Sequence, residues 1–257
     1  MTTQSAALLD RPEALPRPGI EPQPTETVRR RTALVVQPRH GRPAGAFVDV
    51  LLAHGLDSAV VTAHDETLPE PGSTPLAILV GSDSLSQARA DGRLDSELAW
   101  IRRADEAGTT VLGVGHGARV LALALGGSAA PAERPLRGWA MVDTIVPHVI
   151  PSGPWLTWQH DVIALPPAAT LLAHNRLGPQ AFRVGRHLGV QFHPEATPEV
   201  MAGWGATPAD VQSLLAAVRR DHAAAANCTW RLLSSFVAGI EPKTTPTAER
   251  DWAAAPR

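Results

Sequence analysis

Residues 110–119, Thr-Val-Leu-Gly-Val-Gly-His-Gly-Ala-Arg, constrain the fold of this chain more than any other stretch. A short apolar strand runs into a turn of alternate glycines, and a helical pattern follows at once. Thr110–Val114 lacks polar alternation, so it is expected to be buried on both faces, as in a parallel sheet covered by helices. Comparable apolar runs stand at Ala33–Val36, Ala59–Thr62 and Leu76–Val80. Helical patterns separate them. Gly45–Gly55 places Phe47, Val50, Leu51 and His54 on one side, and Asp95–Ala107 carries Leu98, Ile101 and Ala104 before Gly108 stops it. Arg119–Leu125 reads as a helix ended by Gly126-Gly127. This order predicts an α/β domain: a doubly wound, mostly parallel sheet flanked by helices. Trp139–Val149 and Phe182–Phe192 read as extended, partly antiparallel segments. Residues 208–226 read as helix, with Pro208 suited to a first turn.

In such sheets ligands sit beyond the carboxyl ends of the strands. Gly115 falls there, in the turn after Val114. So does His193, in the stretch Gly189-Val190-Gln191-Phe192-His193-Pro194-Glu195. A strand-to-helix elbow suits nucleophilic catalysis, because the turn holds a side chain out at the strand end while backbone N–H groups at the helix start face a developing oxyanion. At this elbow nothing reactive is present: Gly115 has no side chain.

Together the two stretches resemble the class I glutamine amidotransferase family, whose glutaminase domain carries a nucleophilic Cys in a Gly-Ile-Cys-x-Gly-x-Gln elbow and a His-Pro-Glu motif. On that pattern Gly113 and Gly117 match the flanking glycines, Gly115 occupies the Cys position, His116 follows it and Arg119 replaces the Gln. Pro154–Asp161 followed by Leu165-Pro166 is similar to the Trp-His-x-Asp…Leu-Pro segment of the branch related to the glutaminase half of GMP synthase. Ile78–Asp83 sits where the family has a strand ending in Gly-Gly-Pro, with Gly81 retained and Ser82 in place of the second Gly. The resemblance runs over about residues 33–240 and implies a flavodoxin-like, class I amidotransferase-like fold. It also implies that His193 is the base, Glu195 its orienting carboxylate, and the N–H groups around Gly81, Ser82, Gly115 and His116 the oxyanion donors. Without a thiolate no glutamyl thioester forms, and losing such a nucleophile costs on the order of 10⁶ in turnover. Ordinary glutaminase activity is therefore not expected. Three positions depart together, Ser82, Gly115 and Arg119, so the site reads as naturally degenerate.

Other candidates carry alternatives. The His116 side chain faces either the pocket, as a second acid–base group, or solvent in a first helical turn. Arg119 holds either a ligand carboxylate or phosphate, or a surface salt bridge. His160 and Asp161 are ligand contacts or part of a turn in which Asp161 caps a structural element. Cys228, the one cysteine, reads as a small core residue, and Trp155, Trp158 and Trp204 as packing residues. No His-Glu-x-x-His or Cys–His spacing supports a metal, no phosphate-binding glycine loop is present, and no cofactor is implied.

The formal charge of −2 offers no electrostatic case for nucleic acid or an anionic membrane. No apolar run approaches the ~18 residues of a membrane span. Arg29-Arg30-Arg31 is followed only by the apolar run Ala33–Val36, too short for a signal core. A cytoplasmic protein is expected, with Pro-rich, disordered tails at 1–32 and 241–257 around one domain at 33–240. Two functions fit. The first is a repurposed enzyme using His193–Glu195, with His116, for acid–base chemistry on a small amide or amino-acid-like metabolite. The second is a catalytically silent amidotransferase-like protein that binds a ligand or a partner, either a separate synthetase or further copies of itself. A cavity onto which His193 and His116 converge favours the first; a filled one favours the second.

Overall fold

The computed structural model describes residues 31–38, 46–64, 66–197, 200, 201, 204, 207, 212 and 226–239. The tails at 1–30 and 240–257, and the helix expected at 208–226 apart from residues 212 and 226, lie outside the described residues.

Four apolar segments form the parallel half of the sheet: β1 (Arg31–Gln37), β2 (Leu56–Thr62), β3 (Leu76–Leu79) and β4 (Thr110–Val114). Beyond β4 lies β10 (His187–Val190), parallel to it, with Leu188 beside Leu112 and Val190 beside Val114. The antiparallel strands β9 (Gly178–Val184), β8 (Thr170–Asn175) and β6 (Asp143–Thr144) complete the sheet in the order β2-β1-β3-β4-β10-β9-β8-β6. A separate antiparallel pair joins β5 (Ser128–Ala140) to β7 (Trp155–Ala164).

Alternation along the strands divides the core between the two faces. Ala33, Val35, Leu76, Ile78, Leu112 and Val114 pack with Phe47, Val50 and Leu51 of α1 (Phe47–Ala53) and with Leu232, Leu233, Phe236 and Val237 from the helical residues 226–238. Leu34, Val36, Ala77, Leu79 and Val111 face the other way, onto α3 (Leu94–Glu106) and α4 (His116–Ala124). The expected architecture, a mostly parallel sheet with helices on both faces, is therefore the one observed. Each fully buried Leu, Ile or Phe contributes about 1.5–3 kcal/mol, which is why the buried centres of these strands are mostly apolar.

Local departures have local causes. Residues 145–150 form bends and a turn, and 151–154 are irregular, so the extended reading of Trp139–Val149 holds only at Trp139–Ala140 and Asp143–Thr144. α4 begins at His116, three residues earlier than its apolar pattern suggests. A short helix, α2 (Leu85–Ala90), follows the 81–84 segment, its first turn closed by the Ser84 side chain accepting from the Gln87 N–H.

Candidate functional site

Gly115 forms the elbow between β4 and α4, at φ 56° and ψ −108°. That backbone is open to glycine and strained for any other residue. Its N–H donates to Val190 O at 2.9 Å, tying the elbow to the end of β10. α4 then crosses the sheet closely. A Cβ on Gly117 would collide with the Leu79 carbonyl, and one on Gly113 would lie 2.5 Å from Gly117 O, so both positions accept only glycine.

The chain past β10 brings His193 to the same place. Its N–H donates to Leu156 O at 2.8 Å, and Nδ1 lies 2.8 Å from Glu195 Oε1. Both side chains are buried. His193 and Glu195 thus form a buried, hydrogen-bonded pair. Its surroundings do not leave it accessible. The Trp204 ring covers the imidazole at 4.4 Å between centroids, and Nε2 has no hydrogen-bond partner among the described residues. Nε2 lies 2.8 Å from where a Cβ on Gly115 would stand, and His193 Cε1 and Gly81 O lie closer still. The imidazole and a backbone carbonyl fill the space a nucleophile would use.

One of the expected oxyanion donors is engaged too, for the His116 N–H donates to Gly81 O at 2.6 Å. Nor does the His116 side chain reach the dyad or solvent. It is 3% exposed and turned to α3, with Nε2 2.8 Å from Glu97 Oε2 and 2.9 Å from Arg93 Nη1. A guanidinium only donates, so Nε2 accepts from Arg93 when unprotonated and donates to Glu97 when protonated. Arg93 also pairs with Glu97 Oε1 at 2.5 Å and Asp83 Oδ2 at 2.7 Å. Burial pushes the Glu97 carboxyl up, but hydrogen bonding and charge from His116, then Arg93, outweigh it and hold the group below the usual carboxylate range.

Arg119 is neither a surface residue nor a lining of the cleft described below. One turn into α4 it is fully buried, donating to Asp83 O at 2.7 Å and lying 3.4 Å from Asp161 Oδ2 and 3.4 Å from Gln191 Oε1. Burial pushes its guanidinium down to about 10, opposed by Asp161 and Asp83, so it stays charged at neutral pH. Asp161 also accepts the Leu85 N–H at 3.1 Å, capping α2, although it lies in a strand rather than in the expected turn. Two buried arginines therefore grip the 81–84 segment, Arg93 by the Asp83 carboxylate and Arg119 by the Asp83 carbonyl.

Alternation along β7 sends Gln159 and Asp161 inward, and Trp158 and His160 to an open cleft of about 260 Å³. Ser82, Asp83, Ser84 and Gln87 form its facing wall, and Trp204 borders it. Arg137, opposite Trp158 in the β5–β7 pair, lays its guanidinium 4.5 Å above the Trp158 ring. Burial, then the positive charges of Arg137 and Arg119, push the His160 imidazole down, so it is neutral at pH 7.

The remaining candidates are structural. Trp155 stacks on Phe192 at 4.4 Å. Cys228 points to Gly153 O at 3.6 Å, and burial pushes its thiol up, away from the reactive thiolate. Among the described residues no group of three His, Cys, Asp or Glu is placed to hold a metal, and no helix is long and apolar enough to cross a membrane.

No protein-family model matches the sequence. Curated relatives are similar over part of it. The chain is 39% identical over 104 residues to the glutamine-hydrolysing GMP synthase of Thermomicrobium roseum, covering 38% of this chain and 19% of that protein. To the GMP synthase of Marinobacter nauticus it is 35% identical over 107 residues, 35% of this chain and 20% of that protein. The chain thus spans about a fifth of the length of these relatives. Among solved structures, a glutamine amidotransferase from Thermotoga maritima superposes with a TM-score of 0.71 at 20% identity, covering 83% of this chain and 99% of that one. One from Methylobacillus flagellatus gives 0.65 at 17% identity, with 86% and 99% covered. The chain thus shares the fold of these glutamine amidotransferases and, over somewhat more than a third of its length, is similar in sequence to GMP synthases.

Proposed function

We propose that this chain is a catalytically silent member of the amidotransferase-like proteins, serving as a binding or partner subunit rather than as a glutaminase. One observation carries the reading: the imidazole of His193 and the carbonyl of Gly81 occupy the space beside Gly115, and that carbonyl takes the His116 N–H. The nucleophile and the room for a tetrahedral intermediate are missing together, and the Gly115 and His116 N–H groups are already engaged. Similarity to GMP synthases supports a synthetase as the partner class. The acid–base reading keeps one supporting feature, the His193–Glu195 hydrogen bond at 2.8 Å, but His116 is turned towards Glu97 and substrate would have to displace Trp204.

The test is complementation. Cells lacking the gene are compared with the parent by metabolite profile, then supplied with the wild-type chain or His193→Ala, with circular dichroism checking that the variant is folded. Full complementation by His193→Ala is expected. A folded variant that fails to complement, with a general-base-sized loss of about 10²–10⁴ in some turnover, would falsify the silent reading.

A further inference from the structure

Three charged side chains border or back the cleft between the 82–84 segment and β7, and they are not equivalent. Asp83 is paired with Arg93 at 2.7 Å. Arg119 lies behind the wall, paired with Asp161 at 3.4 Å. Arg137 has no carboxylate partner among the described residues; its guanidinium lies 4.5 Å from the centre of the Trp158 ring and lines the cleft. Although Arg137 is exposed, its seat on the Trp158 ring leaves its N–H fork available for planar anion recognition. The other cleft groups suit the same task. Ser82 and Ser84 bring hydroxyls, Gln87 brings an amide, and neutral His160 brings a ring N–H without a competing charge. The wall is also rigid, because Arg93 and Arg119 fix Asp83 from behind. Preorganised polar walls reduce the entropy lost on binding. The volume of about 260 Å³ lies below the ~300–1,000 Å³ typical of drug-sized ligands, so the occupant is small.

We propose that this cleft binds a small metabolite carrying a net negative charge on a carboxylate or phosphate, and that Arg137 is the residue that selects the anion over a neutral zwitterion. The proposal rests on the binding-subunit reading, since it assigns the cleft a ligand and no reaction. A charge-assisted hydrogen bond from Arg137 is worth about 10- to 100-fold in affinity.

The experiment is calorimetric titration of the full chain with succinate, L-glutamate, L-glutamine and inorganic phosphate. The expected result is that at least one anion binds at least about tenfold more tightly than L-glutamine. Succinate or L-glutamate in front identifies a carboxylate ligand; phosphate in front identifies a phosphate ligand. Arg137→Gln is expected to remove the preference and Arg137→Lys to recover part of it. Arg103→Gln, which deletes the same charge from the exposed pair with Glu70, is expected to leave it intact. L-glutamine binding as tightly as every anion, no binding of any anion, or equal losses in Arg137→Gln and Arg103→Gln each overturn the proposal. Absence of anion binding together with complementation by His193→Ala sinks the ligand assignment alone. Anion binding with failed complementation sinks the silent reading and leaves the cleft assignment standing.

Discussion

Restoring a side chain at the elbow is the perturbation that most directly tests this site. In Gly115→Cys the new Cβ meets Gly81 O and His193 Cε1 within overlap distance and His193 Nε2 at 2.8 Å. Neither neighbour can retreat cheaply. Moving the carbonyl breaks its hydrogen bond from His116 N–H at 2.6 Å, and moving the imidazole breaks the 2.8 Å bond to Glu195 against the Trp204 ring. The backbone adds to this, because φ of 56° costs a non-glycine residue about 1–3 kcal/mol. Overpacking of a tight interior adds about 1–3 kcal/mol. The sum is a destabilisation of about 2–6 kcal/mol. Urea denaturation of wild type, Gly115→Ala and Gly115→Cys measures it. Both variants should lose similar amounts, since the Cβ rather than the thiol makes the contacts. Ammonia release from glutamine should stay at background in a folded Gly115→Cys protein, the His116 N–H being engaged by Gly81 O. Variants within about 0.5 kcal/mol of wild type, or a Gly115→Cys protein with ordinary glutaminase turnover, would refute the view of the elbow as a filled site.

Glu97→Gln should cost about 3–5 kcal/mol in denaturant titrations, because it leaves buried Arg93 without half of its counter-charge. His187 accepts the Val111 N–H on Nδ1 at 3.0 Å and reaches Asp105 through Nε2 at 3.0 Å; desolvation holds its imidazole below the ordinary 6.5. The unfolded chain therefore takes the proton first, so this stabilisation is complete above about pH 6.5 and is lost as pH falls through the lower folded value. Melting temperature against pH should flatten in His187→Gln, and an equal slope in both proteins would remove His187 as the cause. Leu233→Ala, in the helical residues 226–238, should destabilise by about 2–5 kcal/mol in the same assay, and a loss below about 1 kcal/mol would show that this helix contributes little to the α1 face.

The central strands were legible because burial on both faces leaves a strong signal: Thr110–Val114 coincides with β4, and Leu76–Val80 with β3 but for one residue. β5 was missed because Pro131 and Pro135 interrupt it and its half-exposed residues carry no long apolar run. At the site, the glycine elbow and the His193–Glu195 pair were legible as local strings. The ionic network behind the elbow was not, since its partners come from three separate segments. One sign of it does exist. In α3, Leu94, Glu97, Ile101 and Ala104 fall at helical spacing on one buried face, and a glutamate on an apolar stripe implies a buried cationic partner. Arg137 gave no such sign, because its role depends on which residue of β7 it meets across the β5–β7 pair.

The strand order carries a consequence for how the protein is made. β4 pairs on one side with β3, nearby in sequence, and on the other with β10, whose residues lie about seventy-five positions later. During synthesis β1 to β4 can assemble with α1, α3 and α4 while the second edge of the central strand still faces water. Such an open apolar edge invites pairing with another chain. The elbow is therefore formed long before His193 emerges to fill it, and closure of β10 against β4 is the late, non-local step that both completes the sheet and ends its exposure to aggregation.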